Sequence, residues 1–197
     1  SRTSGCRCTQ LGIAEAAPVV VFAARFDAMK DPGLFLRAVA SHARRDARAQ
    51  YVMCGAGMTA DNIALTAAIT EAGAPADRIH RLGIRDDMPR VYRSADIVAL
   101  TSAFGEASPL CLIEGAACGA TPVTTAVGDA AQVVSGIGLV TPHDADAIAG
   151  AWAKVIARRP DYRAAALAAR HRVGAERMLD AYRGAIDGLA ERADVAA

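Results

Sequence analysis

Two glutamates, Glu106 and Glu114, are separated by seven residues, and the predicted start of a helix lies between them. Ser108 is a favourable N-cap residue, and Pro109 suits the first helical position, where a missing N–H costs nothing. An apolar run follows, and Gly119 can end the helix in a left-handed conformation. We therefore expect Glu106 on the loop before the helix and Glu114 on the helix itself.

The predicted helix start places free backbone N–H groups between these two carboxylates. Such a terminus binds anions, because its unpaired N–H groups and the helix dipole both favour negative charge. A carboxylate on either side can accept hydrogen bonds from hydroxyl groups. The arrangement suits a ligand in which a diphosphate joins a sugar to a ribose. The alternative is an exposed loop and helix that carry two unrelated glutamates.

Two cations, Arg25 and Lys30, follow the first predicted strand and precede a helix that opens at Asp31 and Pro32. The helix dipole disfavours cations at an N-terminus, so their position mildly favours an anionic ligand there. They would stabilise the charge that a diphosphate gains as its bond to a sugar breaks. The alternative is that both are ordinary surface cations.

Short apolar strands alternate with helices after Pro18. This pattern indicates a parallel sheet covered on both faces. We predict an α/β fold with a doubly wound, Rossmann-like parallel sheet of about six strands and a ligand outside their carboxyl ends. The predicted strands are 19–23, 51–54, 79–82, 97–100, 122–124 and 138–140. The predicted helices are 31–44, 59–72 (with Ile63, Ala67 and Ala68 at helical spacing), 88–92, 109–118 and two or three within 144–191.

Length and composition exclude several classes of protein. A chain of 197 residues with 53% apolar content can bury one core, and no apolar run is long enough to span a bilayer. The net charge of +1 predicts no nucleic-acid partner. Without a visible signal peptide, a cytoplasmic setting is expected. Residues 1–17 are expected to be a linker or domain remnant, 18–191 the ligand-binding domain and 192–197 a tail.

The cysteines and aspartates predict no metal site. Three cysteines lie in apolar surroundings and are predicted to be reduced core thiols: Cys54, Cys111 and Cys118. Cys6 and Cys8 are a single pair of thiols, which is a poor metal site without a second pair. Asp86 and Asp87 are adjacent and so do not form a D-x-D motif.

The segment 103–123 resembles the E-x7-E signature of retaining glycosyltransferases with the GT-B fold, especially family 4. The usual form is E-G-F-P-x-x-x-x-E followed by A-x-A-x-G-x-P-V-V, and this chain departs from it at Ala107 and Ser108. The resemblance implies that Glu106 contacts hydroxyls of the transferred sugar and Glu114 those of the ribose. It also implies a backbone that faces the sugar and diphosphate at Gly105, Ala107, Ser108, Pro109 and Leu110.

Other segments resemble the same family in the same order. The run A-R-F-D-A-M-K-D resembles G-R-x-x-x-x-K-G, whose Arg and Lys hold the donor diphosphate, so Arg25 and Lys30 join Glu106 as the catalytic set. Asp31 stands where the family has glycine. Gly55-Ala56-Gly57 resembles the family's G-x-G turn, although an ordinary strand-to-helix turn has the same pattern.

The stretch 82–97 resembles F-L-G-x-V-x-x-x-x-L-Y-x-x-A-D and implies that Ile84 and Arg85 line the base pocket. Within it, Tyr92 is expected in the core and Asp96 as a brace for the next strand. Gly128-Asp129 resembles the family's T-x-x-G-G-x-x-E turn, expected near the diphosphate. His143 is expected to be a solvated loop residue, and 173–182 resembles the terminal F-S-x-E-x-M helix.

The resemblance implies the donor-binding half of a retaining enzyme that takes a nucleotide-diphosphate sugar. No metal or other cofactor is implied, because cations neutralise the leaving diphosphate and the departing phosphate acts as the base. An N-terminal domain would carry the acceptor, so this chain alone is expected to bind weakly and transfer nothing. That half would also make any peripheral contact at the inner face of the membrane, in polysaccharide or glycoconjugate synthesis.

Three alternatives belong to other classes. A non-catalytic nucleotide-sugar-binding module with a relic site fits the departures at Asp31, Ala107 and Ser108. A non-hydrolysing nucleotide-sugar epimerase would need further acidic and histidine residues that the sequence lacks. A Rossmann oxidoreductase is disfavoured, because the third glycine of its dinucleotide fingerprint is absent after Gly57.

Overall fold

A computed structural model describes residues 11–195, without the side chains of residues 173, 175–177 and 189–195. Cys6 and Cys8, the remainder of the expected linker at 1–10 and the end of the expected tail at 196–197 lie outside the described residues. Within the described range, the chain forms one six-stranded, fully parallel sheet flanked by helices. The predicted α/β, Rossmann-like fold class is confirmed.

The strands and helices alternate along the chain. The strands are β1 (Val19–Ala23), β2 (Gln50–Cys54), β3 (Ile79–Gly83), β4 (Ile97–Leu100), β5 (Thr121–Thr125) and β6 (Leu139–Thr141). The helices are α1 (Pro32–Arg45), α2 (Ile63–Glu71), α3 (Met88–Ser94), α4 (Leu110–Ala117), α5 (Ala130–Val133), α6 (Ala145–Ala157), α7 (Arg159–Ala168), α8 (Arg170–Val173) and α9 (Ala175–Val195), with short 3-10 turns at Ala28–Lys30 and Ala76–Arg78.

The strand order is β3-β2-β1-β4-β5-β6. The chain therefore builds the sheet outward from β1 in one direction and, after β3, returns to add β4 on the other side of β1. In such sheets the loops that leave the two central strands separate at this reversal, and ligands bind in the crevice between them. The loop after β1 carries Arg25 and Lys30, and the loop after β4 carries Gly105 and Glu106, so the predicted cations and the first glutamate meet at the reversal.

Both faces of the sheet are covered, as the continuous apolar strands predict. Val20 and Phe22 of β1 pack into one cluster of buried residues with α1, α2 and α6. Val19 and Val21 point to the opposite face and pack with Tyr92 of α3 and Leu112 of α4. Tyr92 is thus a core residue, as predicted.

Gly115 allows α4 to lie unusually close to β4. A methyl group at Gly115 would lie only 2.4 Å from Cγ1 of Val98, so the helix backbone rests directly on the strand. Leu112 and Ala116 on the same side of α4 are fully buried. This packing fixes the position of α4 on the sheet and leaves Glu114 exposed on its outer side.

The second helix starts later than predicted. The side-chain oxygen of Asn62 caps α2 by accepting from the N–H groups of Ala64 and Leu65, so the helix starts at Ile63 and not near residue 59. Leu65 and Ile69 are its buried residues, whereas Ile63 is 85% exposed.

Long-range contacts close the opposite end of the sheet. Asp96 accepts a hydrogen bond from the backbone N–H of Val19 (2.8 Å) and pairs with Arg159 of α7 (2.7 Å). Asp96 is therefore a structural residue, as predicted, although its side chain holds the start of β1 and not the strand that follows it. Ile13 and Ala17, in the segment expected to be a linker, are buried against the core.

Four helices, α6 to α9, follow β6 in the described part of the chain, where two or three were predicted. No helix of the described residues is both long enough and apolar enough to cross a bilayer.

His42 is a buried histidine on α1. It is 1% exposed, and its Nδ1 lies 2.8 Å from the hydroxyl of Tyr51. Burial lowers the pKa of His42 from 6.5 to about 4, although the nearby charge of Asp46 opposes this shift. The imidazole is therefore neutral in the folded protein at neutral pH.

We predict that replacing Gly115 with alanine destabilises the protein by about 1–3 kcal/mol, because the added methyl group must displace Val98 or the helix. The matched control is Gly184→Ala, since a Cβ at Gly184 of α9 meets nothing within 4 Å. That change should be neutral or stabilise the protein by up to about 1 kcal/mol. Urea unfolding of both variants measures the difference, and equal stabilities would contradict the close packing of α4 on β4.

We also predict that His42 makes folding stability depend on pH. As pH falls from 6.5 towards 4, the unfolded chain binds a proton at this histidine that the folded chain does not, so stability decreases. His42→Gln should remove this component, which amounts to about 3 kcal/mol across that interval. Urea unfolding of both proteins at a series of pH values checks it. Parallel pH profiles for the two proteins would show that His42 titrates normally in the folded state.

Candidate functional site

The loops after β1 and β4 are joined by hydrogen bonds where the strand order reverses. The hydroxyl of Thr101 donates to the backbone carbonyls of Lys30 (3.1 Å) and Asp31 (3.0 Å). The backbone N–H of Ala103 donates to the carbonyl of Met29 (2.9 Å). The backbone that carries the predicted cations is therefore attached to the loop that carries the first glutamate.

Lys30 and Glu106 form an ion pair across this junction. Lys30 Nζ lies 2.5 Å from Glu106 Oε1, and the two side chains are only 17% and 4% exposed. The hydroxyl of Ser102 donates to the same oxygen. Within residues 11–195, the other carboxylate oxygen, Oε2, accepts no hydrogen bond. One half of the carboxylate is thus fixed, and the other half is available to a ligand.

Three buried hydroxyl residues that support this pair were missed by sequence reasoning: Thr101, Ser102 and Thr125. Ser102 orients Glu106, while its own carbonyl accepts a hydrogen bond from the hydroxyl of Thr125 at the end of β5 (2.7 Å). A signal was present, since Thr101 and Ser102 directly follow the apolar strand β4. Polar residues at the carboxyl end of a parallel strand are candidates for a site.

Arg25 does not join the ion pair. Its side chain is exposed, and within the described residues it forms no hydrogen bond or ion pair. The structure therefore brings Lys30 and Glu106 together and leaves the Arg25 guanidinium in solvent at the start of the same loop. Asp27, between the two cations, caps the 3-10 turn by accepting from the N–H of Met29 (2.8 Å).

The start of α4 differs from the sequence prediction. Pro109 occupies the N-cap position with an extended backbone (ψ 104°), so the first helical residue is Leu110, and no side chain caps the helix. Ser108, predicted as the N-cap, instead adopts a left-handed conformation with φ 49°. The reason is that the backbone turns once more after Glu106 before the helix begins.

This start leaves the expected backbone donors unpaired. Within residues 11–195, the N–H groups of Ala107, Ser108 and Leu110 donate to no other group. Pro109 has no N–H and is buried. Gly105, on the other side of Glu106, packs against Met29. A helix start with unpaired N–H groups therefore follows Glu106, although these donors are not arranged around a serine cap. Unpaired N–H groups of this kind favour an anion, so anion binding here stays a prediction.

Glu114 lies one turn into α4, and its negative charge contributes to raising the pKa values of Tyr92 and Cys111. Burial raises the pKa of the Tyr92 hydroxyl, and a hydrogen bond to the Glu114 carboxylate adds to the shift. Burial raises the pKa of Cys111 to about 12, although Lys30 opposes this effect. The thiol of Cys111 is therefore protonated at neutral pH and is no nucleophile. Cys54, Cys111 and Cys118 are free thiols, as predicted.

The turn at Gly128 presses against the backbone of Glu106. Gly128 adopts φ 54°, and a methyl group there would lie 1.6 Å from the Glu106 carbonyl oxygen. No other residue fits this space. The turn after β5 therefore lies beside the candidate site, and Asp129 occupies the N-cap position of α5 without a side-chain hydrogen bond.

The G-x-G turn after β2 supports the neighbouring loops. Gly55 has φ 129°, and a methyl group there would lie 2.1 Å from the carbonyl oxygen of Ala24. Its N–H donates to the carbonyl of Gly83 at the end of β3 (2.8 Å). Gly57 packs against Phe26 of the loop after β1. The two glycines thus let three successive strand ends approach one another.

The residues implied for a base pocket lie at the end of β3. Ile84 is 79% exposed, which is unusual for a large apolar side chain and leaves it available to a ligand. The guanidinium of Arg85 is paired with the Asp87 carboxylate at 2.9 Å. Arg85 is therefore held in place by Asp87.

His143 lies on an exposed loop, as predicted, but it also has a partner that the sequence did not indicate. Its Nε2 lies 3.1 Å from Asp31 Oδ2, and its side chain is 43% exposed. The contact joins the loop after β6 to the start of α1, 112 positions apart in sequence, and local spacing carries no sign of it.

The described residues contain no group of three or more histidine, cysteine, aspartate or glutamate side chains placed to hold a metal ion. An open groove of about 640 Å³ adjoins the start of α4. It is lined by Ser108 and Leu110 on one side and by Asp129 and Met178 on others. The groove gives space beside the unpaired N–H groups.

Solved structures share this fold. The Anabaena protein HepE, determined in complex with UDP, matches with a TM-score of 0.73 and 24% identity over 84% of this chain and 46% of that one. A sucrose-phosphate synthase from Thermosynechococcus elongatus matches with a TM-score of 0.74 and 24% identity over 92% of this chain and 48% of that one. Both matches show that the fold of this chain also occurs as a part of longer chains.

Curated protein sequences also match this chain. A D-inositol 3-phosphate glycosyltransferase from Salinispora arenicola is 33% identical over 171 residues, which are 80% of this chain and 37% of that protein. One from Mycolicibacterium gilvum is 37% identical over 156 residues, which are 76% of this chain and 34% of that protein. The chain spans little more than a third of the length of these curated relatives. A family model described as glycosyl transferases group 1 matches residues 17–158, and the chain belongs to that family.

Proposed function

We propose that this domain binds a nucleotide-diphosphate sugar as the donor for retaining glycosyl transfer of the family 4, E-x7-E type. The observation that carries the proposal is the ion pair of Lys30 and Glu106 beside the uncapped start of α4. It unites a cation, a carboxylate with a free oxygen and unpaired N–H groups where the strand order reverses. These are the groups that a sugar diphosphate needs.

In this proposal the diphosphate lies at the start of α4. The N–H groups of Ala107, Ser108 and Leu110 donate to its oxygens, and Lys30 and Arg25 neutralise its charge. These cations stabilise the negative charge that develops on the diphosphate as the glycosidic bond breaks, so no metal is required. The departing phosphate accepts the acceptor's proton on the same face of the sugar.

The two glutamates bind the ends of the donor. Glu106 accepts hydrogen bonds from the transferred sugar through Oε2, since Oε1 is held by Lys30 and Ser102. Glu114, exposed one turn further along α4, accepts from the ribose hydroxyls. Ile84 offers an apolar surface to the base beside Arg85. Gly55 and Gly57 let the neighbouring backbone approach closely, because they carry no side chain.

The base is proposed to be uracil. HepE, which shares the fold, was solved with UDP and with UDP-glucose. This likeness suggests which nucleotide to test first.

The whole enzyme is proposed to need a second domain. The chain spans 37% of the Salinispora relative, whose remaining length is enough for a domain of similar size. That N-terminal domain would carry the acceptor and close over the donor, in the cytoplasm or at the inner face of the membrane. The 197-residue chain alone should therefore bind the donor weakly and transfer nothing. Sugar transfer above a heat-killed control would contradict this part of the proposal.

We predict that calorimetric titration of the chain with UDP, GDP and ADP detects binding of one of them. Arg25→Ala and Glu114→Ala should each weaken it at least tenfold, because a hydrogen bond to a charged group contributes about 1.5–3 kcal/mol. Arg44→Ala and Glu71→Ala are matched controls, since both residues are exposed at the C-terminal ends of their helices. Equal affinity in the site and control variants would contradict the proposed donor site.

We predict that Glu106→Gln distinguishes the contribution of the sugar to binding affinity from that of the nucleotide. Gln keeps the size of the side chain but accepts more weakly, so it should lower affinity for the nucleotide sugar about threefold to tenfold. Affinity for the free nucleotide should fall by less, because the ribose and base do not touch residue 106. Parallel titrations with UDP and UDP-glucose measure the ratio, with the GDP and ADP pairs used if those bases bind. An unchanged ratio would remove Glu106 from the sugar site.

A further inference from the structure

Asp31 connects three loops at the carboxyl edge of the sheet. Its Oδ1 accepts from the N–H of Leu34 in the first turn of α1 (2.8 Å), and its Oδ2 lies 3.1 Å from His143 Nε2. Its backbone carbonyl accepts from the hydroxyl of Thr101 (3.0 Å). One residue therefore joins the loops after β1, β4 and β6.

Asp31 directly follows Lys30 and replaces the glycine that is usual in the family pattern. It adopts φ 42°, a left-handed conformation that glycine tolerates without cost and that aspartate tolerates better than most residues. The substitution adds a carboxylate next to a site proposed to bind a diphosphate. A bare negative charge there would repel the ligand.

Two basic side chains lie beside the Asp31 carboxylate and can offset its effect. His143 faces it from the loop after β6, and Arg37 lies 4.0 Å away on the next turn of α1. Of the two, His143 is the closer and comes from a separate segment of the chain. His143 is therefore the partner that can hold Asp31 from outside its own helix.

We propose that His143 is a positioning residue of the donor site. Through its contact with Asp31, His143 fixes the backbone of the loop that carries Lys30. It also holds the Asp31 carboxylate away from the position proposed for the diphosphate. The effect on affinity rests on the proposed function, whereas the effect on the backbone does not. His143 itself touches no reacting atom.

A double-mutant cycle tests the proposal in the 197-residue chain, with His143→Ala, Asp31→Gly and the combination of both. Glycine at 31 keeps the left-handed backbone and removes only the carboxylate. We expect His143→Ala to raise the dissociation constant for the nucleotide found by titration roughly threefold, the size typical of one lost side-chain hydrogen bond. In the Asp31→Gly background the same change should have no effect.

Hydrogen exchange gives a readout without a ligand. His143→Ala should speed exchange in the peptide that spans residues 27–36, which contains the Leu34 N–H bound by Asp31. His143→Gln, which can still donate to Asp31, should restore slow exchange and affinity. Asp144→Ala is the control, since Asp144 caps α6 and does not contact Asp31. It should leave that peptide unchanged.

The outcomes separate the two proposals. An effect of His143→Ala that is equal with and without Asp31, in affinity or in exchange, would overturn the positioning role. Unchanged exchange over residues 27–36 would do the same. If the parent chain binds none of the three nucleotides, the proposed function fails. The exchange cycle alone then decides whether His143 positions the Lys30 loop.

Discussion

The ion pair of Lys30 and Glu106 is the interaction on which the candidate site depends. Removing two charges from water is costly, and neither could remain nearly buried without the other. The surrounding polar groups are arranged to hold the pair: Ser102 donates to the same carboxylate oxygen, and Thr101 holds the Lys30 backbone. Together with the hydrogen bonds of Thr101 and Ala103, the pair holds the two central loops of the sheet together.

The burial of this pair also decides which groups remain free for a ligand. Lys30 and one oxygen of Glu106 satisfy each other, whereas the second oxygen, the Arg25 guanidinium and the N–H groups at the start of α4 have no partner among the described residues. A site arranged in advance loses less conformational entropy when it binds. The ion pair and the unpaired groups therefore have different roles. The pair holds the two loops in position, and the unpaired groups are available to contact a ligand.

The sequence predicted the fold well, because the alternation of short apolar strands with helices has few solutions. It also placed Lys30 and Glu106 on loops that follow strands. It missed several partners that are distant in sequence. Nothing near His143 indicates Asp31, and nothing near Ser102 indicates Thr125. The local capping rule failed at Ser108, because a further turn of the backbone precedes α4. The start of α2 follows an ordinary side-chain cap at Asn62 that the sequence prediction overlooked.

The contact of Gly128 with Glu106 has a mechanical consequence. No methyl group fits between the turn after β5 and the Glu106 carbonyl, so the two backbones are in direct contact. A shift of this turn towards Glu106 would therefore push the Glu106 backbone, while the Glu106 side chain is held to the β1 loop through Lys30.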